Sequence, residues 1–65
     1  MDQMMHNLLV EKKRIALTDE MSNRVGIDRE VGRRFLATEI VNARNQGRQP
    51  DMAVVAWAIK DYSEK

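Results

Sequence analysis

Eight consecutive residues without a polar side chain decide the fold of this 65-residue chain: Met52-Ala53-Val54-Val55-Ala56-Trp57-Ala58-Ile59. Pro50 suits the first turn of a helix, and the alanines of the run outweigh its β-branched valines. The sequence therefore predicts a helix over 50–63. Because this helix is apolar on nearly every side, we expect Trp57 to be largely buried.

The composition predicts a single small domain that is not stabilised by disulfides or by a metal ion bound through thiolates. A chain of 65 residues is near the lower size limit at which a hydrophobic core suffices. It has no cysteine, which excludes disulfides and thiolate metal sites. No run approaches the ~18 apolar residues of a membrane span, and the N-terminus lacks the layout of a secretory signal. We expect a cytoplasmic protein that does not bind membranes.

The first part of the chain has a helical pattern whose apolar stripe shifts around the axis partway along. Thr18, followed by Asp19 and Glu20, is an N-cap type residue with two acidic residues after it. This favours a break, with helices over about 2–16 and 18–25. The basic cluster at 12–14 is interpreted as a solvated helix face more readily than as a phosphate-binding site.

Glycines predict where the next helix begins and ends. Gly26 has the position of a left-handed helix terminator, Asp28 can cap the following helix, and Gly47 can terminate that one. The predicted helix over 28–46 has two apolar sides, so it should pack on the N-terminal segment and on the Trp57 helix. The predicted fold class is all-α, with three to four short helices (about 2–16, 18–25, 28–46 and 50–63) in one domain, 1–65.

Self-association is expected because three short helices cannot cover every apolar side. Val54 and Trp57 point away from the stripe that contains Val55 and Ile59, and Met5 lies in a soft apolar segment. The sequence therefore predicts a homodimer with Met5, Val54 and Trp57 in the interface.

Residues suited to catalysis are nearly absent from the sequence. His6 is the only histidine, and no glycine-rich phosphate loop is present. The acidic residues Asp19, Glu20, Asp28 and Glu30 fall at predicted helix starts, where the helix dipole explains them. We expect a protein that is not an enzyme and has no cofactor, no metal and no small-molecule substrate.

The turn at Gly26 lies within a longer pattern over 18–36. The pattern consists of apolar Met21 and Val25, small Ser22, apolar Ile27, the cap Asp28 and apolar Phe35. It resembles the helix-turn-helix signature of bacterial and phage DNA-binding regulators. The resemblance implies that the second helix lies in the major groove, with Arg29, Arg33 and Arg34 contacting bases or phosphates. The pattern departs from the family at Gly32, where Val or Ile is usual, and this predicts a gap between the helices.

Two other interpretations of these residues remain open. The Val-Gly-Ile-Asp turn is also sufficient for a plain αα-corner with no role in DNA binding. Residues 42–51 are weakly similar to the short antitoxins that block Fic-type toxins, although Gln46 and Asn42 replace the two functional residues of that motif. The function predicted from sequence is DNA binding by a small regulator. The alternative is an inhibitor or antitoxin-like module that docks an apolar helix face on a larger protein.

Overall fold

Three helices make up the regular secondary structure of residues 2–65. A computed structural model describes residues 2–65, with side chains described for residues 5–65. The helices are α1 (Asp2–Val25), α2 (Arg29–Asn45) and α3 (Met52–Ser63). No strand occurs in residues 2–65, so the predicted all-α class is confirmed.

The predicted break at Thr18 is wrong, because α1 runs through it without interruption. The Thr18 hydroxyl donates to the carbonyl of Arg14 at 2.7 Å, as a threonine in a helix interior does. Thr18 is fully buried, and it lies beside Gly32 of α2. Asp19 and Glu20 consequently lie in the middle of a helix, and the helix dipole does not explain them. The local capping signal is overridden by packing.

The turn between α1 and α2 has the predicted chemistry. Gly26 adopts a φ of 77°, and the N–H of Ile27 donates to the carbonyl of Ser22 at 3.0 Å, which together form a Schellman motif. The Asp28 side chain then accepts the N–H of Glu30 at 2.9 Å and caps α2. The helix α2 also ends at a glycine with positive φ: Gly47 has a φ of 66°.

The start of α3 differs from the prediction by two residues. Asp51 is the N-cap, and its side chain accepts the N–H of Ala53 at 2.9 Å. Pro50 therefore lies just outside the helix and not in its first turn. The cap is stronger than the proline signal because it supplies a hydrogen-bond acceptor to the free N–H groups of the first turn.

The three helices pack on one another as an up-down-up bundle. The Arg14 side chain of α1 reaches Gln49 just before α3, Glu39 of α2 binds the backbone N–H of Asp51, and α2 contacts both other helices. The core consists of Leu36, Val55 and Ile59. Partly buried apolar residues surround it: Met21, Ile27, Phe35, Ile40 and Met52. The prediction that α2 packs on both neighbours is confirmed.

The gap predicted at Gly32 does not exist. Gly32 is buried, and a Cβ atom there would overlap the Ser22 hydroxyl and contact Thr18. The absence of a side chain therefore lets α1 and α2 approach closely, and Ser22 and Thr18 occupy the space. The helix-turn-helix pattern correctly placed a small residue at 22, and the close contact needs one at 32 as well.

The first helix is longer than the body it packs on. At 24 residues α1 spans ~36 Å, against about 18 Å for the 12 residues of α3. The radius of gyration is 12.3 Å, above the ~11 Å of a compact domain of this size. Residues 5–9 are all exposed, and the first partly covered residue is Val10. We call residues 2–9 the arm, since they extend α1 beyond the bundle.

Candidate functional site

The outer face of α3 holds the largest exposed side chain of the protein. Trp57 is 69% exposed and Val54 is 46% exposed, so the prediction that Trp57 is largely buried is wrong. The reason is helical geometry: Val55 and Ile59, four residues apart, face the core, and Trp57 lies midway between them on the opposite side of the helix. We call Val54 and Trp57 the tryptophan face.

Charged side chains border the tryptophan face at its C-terminal end. A shallow groove there is lined by Trp57, Lys60, Asp61 and Glu64. Asp61 and Glu64 follow Trp57 by four and seven residues, so they continue the same side of the helix. Asp61 forms a weak exposed pair with Lys65 at 3.4 Å. The outer side of α3 therefore changes from apolar to charged along its length, with lysines and carboxylates side by side.

A second apolar surface lies on the arm. Met5 is 68% exposed, and Leu8 and Leu9 are exposed beside it. Together with Glu11, Lys12 and Ile15 they line a groove along α1. Of the three residues predicted for the interface, Val54 and Trp57 share the tryptophan face, and Met5 lies on this separate surface.

The arginines predicted to bind DNA all lie on α2, where, within the described residues, one is paired with a carboxylate and the other two are not. The Arg33 guanidinium donates two hydrogen bonds, of 3.0 and 2.7 Å, to the carboxylate of Asp19 on α1. This contact raises the pKa of Arg33, and the hydrogen bonds from Arg33 lower the pKa of Asp19. Arg29 and Arg34 are exposed and form no ion pair within residues 5–65. The bond pair to Asp19 occupies the Nε–H and one terminal nitrogen of Arg33, which leaves this side chain fewer donors and less freedom to bind a base edge than Arg29 and Arg34 have.

The helices that carry these arginines lie side by side. Ser22 meets Gly32 near the turn, and further along a groove is lined by Glu11 and Ile15 of α1 with Ala37 and Ile40 of α2. The helix-turn-helix resemblance implies helices that diverge at a steep angle after a short turn. Here the contact between α1 and α2 continues for about three turns, as in an αα-hairpin.

Sequence reasoning missed one buried charged group. Glu39 is 3% exposed, and Arg48 holds its carboxylate through bonds of 2.6 and 3.3 Å while the N–H of Asp51 donates to it at 2.8 Å. The Arg48 guanidinium, helped by that N–H, lowers the pKa of Glu39. This cluster fixes the loop that positions α3. The sequence did contain a sign of this buried carboxylate, because Glu39 lies between the apolar residues Leu36 and Ala43 on the inner side of α2.

The rest of the described surface offers few groups suited to catalysis or metal binding. His6 is exposed on the arm. Among residues 5–65, no three histidine, aspartate or glutamate side chains are grouped so that they could hold a metal ion. No helix in this part of the chain combines the length and apolar character needed to cross a membrane.

Comparisons with known proteins return no relatives. No family model matches the sequence, no curated protein matches it significantly, and no solved structure matches the fold significantly.

Proposed function

We propose that this protein is a small, non-enzymatic binding module that docks the tryptophan face of α3 on a larger protein. The observation that carries the proposal is the exposure of Trp57, the only tryptophan of the chain. A domain of this size has little apolar burial to spare, yet its largest side chain faces solvent. Tryptophan is also the residue type most enriched among those that dominate binding energy.

The energy available from this one side chain is sufficient for an anchor. A tryptophan buries roughly 150–250 Å² when fully covered, so covering the exposed part of Trp57 removes on the order of 100–170 Å² from water. At about 25 cal/mol per Å², this amounts to about 2.5–4 kcal/mol. Val54 lies one turn away and extends the apolar contact.

The charged end of the same face adds a second feature of the partner. Lys60, Asp61 and Glu64 border Trp57 at this end, so a matching surface has an apolar pocket for the indole and polar or charged groups of both signs near its rim. The partner is a folded protein with such a pocket, and occupation of the pocket blocks it. This is the mode of action of an inhibitor or antitoxin-like module in the cytoplasm.

DNA binding is the second candidate, favoured by the charge on α2. Arg29, Arg34 and Arg44 are exposed and form no ion pair within the described residues, whereas Glu30 is the only exposed acidic residue of that helix. Such a helix can bind phosphates of a duplex. Arg33 is partly neutralised by Asp19 and contributes less than these three. Two further facts favour a protein target: the net charge is only +1, and α1 and α2 lie side by side.

Capture from a bacterial lysate with immobilised protein tests both candidates. We expect a stoichiometric protein that is retained after nuclease treatment and is bound at least tenfold more weakly by the Trp57→Ala variant. The matched control is Val41→Ala, because Val41 is also exposed but lies on α2. This control should bind as the wild type does.

The same experiment contains the outcomes that contradict the proposal. Equal capture by Trp57→Ala and wild type eliminates the tryptophan face as the docking site. Capture that disappears with nuclease, falls steeply with salt and is weakened by Arg34→Ala supports DNA binding in its place.

A further inference from the structure

A single carboxylate connects α2 with the following loop and with the start of α3. Glu39 is 3% exposed, and both of its oxygens accept hydrogen bonds from the Arg48 guanidinium, at 2.6 and 3.3 Å. Its Oε2 atom also accepts the backbone N–H of Asp51 at 2.8 Å. The loop and the N-cap of α3 are therefore bound to the same side chain of α2.

The net contribution of this ion pair to stability is small. Removing a carboxylate from water costs free energy that its attraction to a guanidinium only partly offsets, and apolar residues often replace a buried ion pair without loss of stability. Hydrogen bonds differ from apolar contacts because they require particular distances and angles between particular atoms. The bonds of Glu39 are therefore better suited to fixing the geometry of α3 than to holding the bundle together.

Apolar packing alone determines the rotation of the first turns of α3 about the helix axis only weakly. Val54 and Val55 have the same size and point to different sides, and no polar side chain occurs between Met52 and Ile59. The charged residues that mark the outer side of the helix begin only after Ile59. The first turns need another source of direction.

The hydrogen bond to Asp51 supplies this direction. Asp51 directly precedes α3, and Val55 and Ile59 follow it by four and eight residues, so all three lie on one side of the helix axis. Because Glu39 holds the N–H of Asp51 against α2, this side faces the core. Trp57 lies six residues after Asp51 and is turned to the opposite side.

We infer that Glu39 is the positioning residue of the tryptophan face. By binding the N-cap of α3 it fixes the rotation of that helix, and so the direction in which Trp57 points, while it adds little net stability. The inference rests on the proposed function, because the direction of Trp57 matters only if a partner binds there. Glu39 is buried and acts on binding without touching the partner.

Spin labels measure the orientation of α3 without any partner. The chain has no cysteine, so Val41→Cys on α2 and Lys60→Cys on α3 place one label on each helix, both at exposed positions. Electron paramagnetic resonance should give one narrow distribution of distances between the two labels. Adding Glu39→Met with Arg48→Met, the pair variant, should broaden this distribution about twofold or split it, with the helical circular dichroism signal and the urea midpoint unchanged.

Two further variants separate positioning from other effects. Glu20→Met with Arg24→Met removes an exposed ion pair of the same residue types on α1, whose bond is 3.1 Å, and should leave the distribution narrow. Glu39→Gln is the conservative variant, since its amide oxygen can still accept the N–H of Asp51. It should keep the distribution closer to that of the wild type than the pair variant does.

Binding provides the functional readout. A protein captured through Trp57 should be bound about threefold more weakly by the unlabelled pair variant than by the wild type. Equal binding would mean that the orientation set by Glu39 does not matter to the partner, and this overturns the inference.

Two results without a partner also overturn it. If the distances in the pair variant are as narrow as in the wild type, apolar packing alone fixes α3. If the pair variant loses its helical signal or has a lower urea midpoint, Glu39 acts through stability and not through orientation. The proposed function stands in either case, and it fails only if Trp57→Ala captures the partner as well as the wild type does.

Discussion

Replacing Ile59 with alanine should lower the free energy of unfolding by about 2–5 kcal/mol, the usual cost of a buried isoleucine truncated to a methyl group. Ile59 is 1% exposed and belongs to the core with Leu36 and Val55. A chain of 65 residues has a total stability of roughly 3–10 kcal/mol, so this loss removes much of it. Replacing Trp57, two residues earlier, should change stability by no more than about 0.5 kcal/mol.

Urea denaturation of both variants measures the difference, with the helical circular dichroism signal as the readout. The result runs against residue size, because the larger side chain has the smaller effect on the fold. A large loss of stability in Trp57→Ala would show that the indole is part of the core, as the apolar run alone suggested. A stable Ile59→Ala variant would contradict the direction in which α3 packs.

Replacing Gly32 with alanine should destabilise the fold by about 1–3 kcal/mol, although alanine is the better helix former. The new methyl group overlaps the Ser22 hydroxyl, and Ser22 is fully buried with its hydrogen bond to Thr18 at 2.9 Å. Ser22 must turn away and leave that bond, or α1 and α2 must separate.

The double variant Ser22→Ala, Gly32→Ala provides the control, because removal of the hydroxyl gives the new methyl group room. We expect it to recover most of the stability lost in Gly32→Ala, and we expect Ser22→Ala alone to be nearly neutral. Thermal unfolding of the four proteins gives the coupling energy between positions 22 and 32. Additive effects would mean that the two residues are not in contact.

Local chemistry made the turns of this fold predictable. Gly26, Asp28 and Gly47 act through backbone conformation and capping within a few residues, so the sequence contains the whole cause. Thr18 carries the same kind of signal, and there the prediction of a break was wrong. Packing between helices outweighed the local capping preference. Thr18 packs against α2, and a break in the helix would expose that contact to solvent.

The direction of α3 was harder to predict for a different reason. An apolar run with no polar residue specifies burial without specifying which side is buried. The spacing did separate Val55 and Ile59 from Val54 and Trp57, and that division is present in the structure. What the run could not reveal is that two neighbouring helices cover only one of the two sides.

Contacts between helices explain what was missed at the charged sites. The arginine at position 33 was singled out, but its partner Asp19 lies on another helix, 14 residues earlier. Glu39 depends on Arg48, which lies beyond the end of α2 and folds back onto it. Such pairs follow from how helices and loops approach each other, and single-sequence periodicity does not contain that information.

Quenching of the fluorescence of Trp57 by acrylamide tests the central claim most directly, because this is the only tryptophan of the chain. It should be measured on the free protein over a wide range of protein concentrations. We predict a red-shifted emission and a quenching constant close to that of a free tryptophan derivative, unchanged across the whole range, because Trp57 is 69% exposed on the outer side of α3. A blue-shifted, protected tryptophan at low concentration, or protection that develops as the protein associates, would contradict the claim that the tryptophan face is open to a partner.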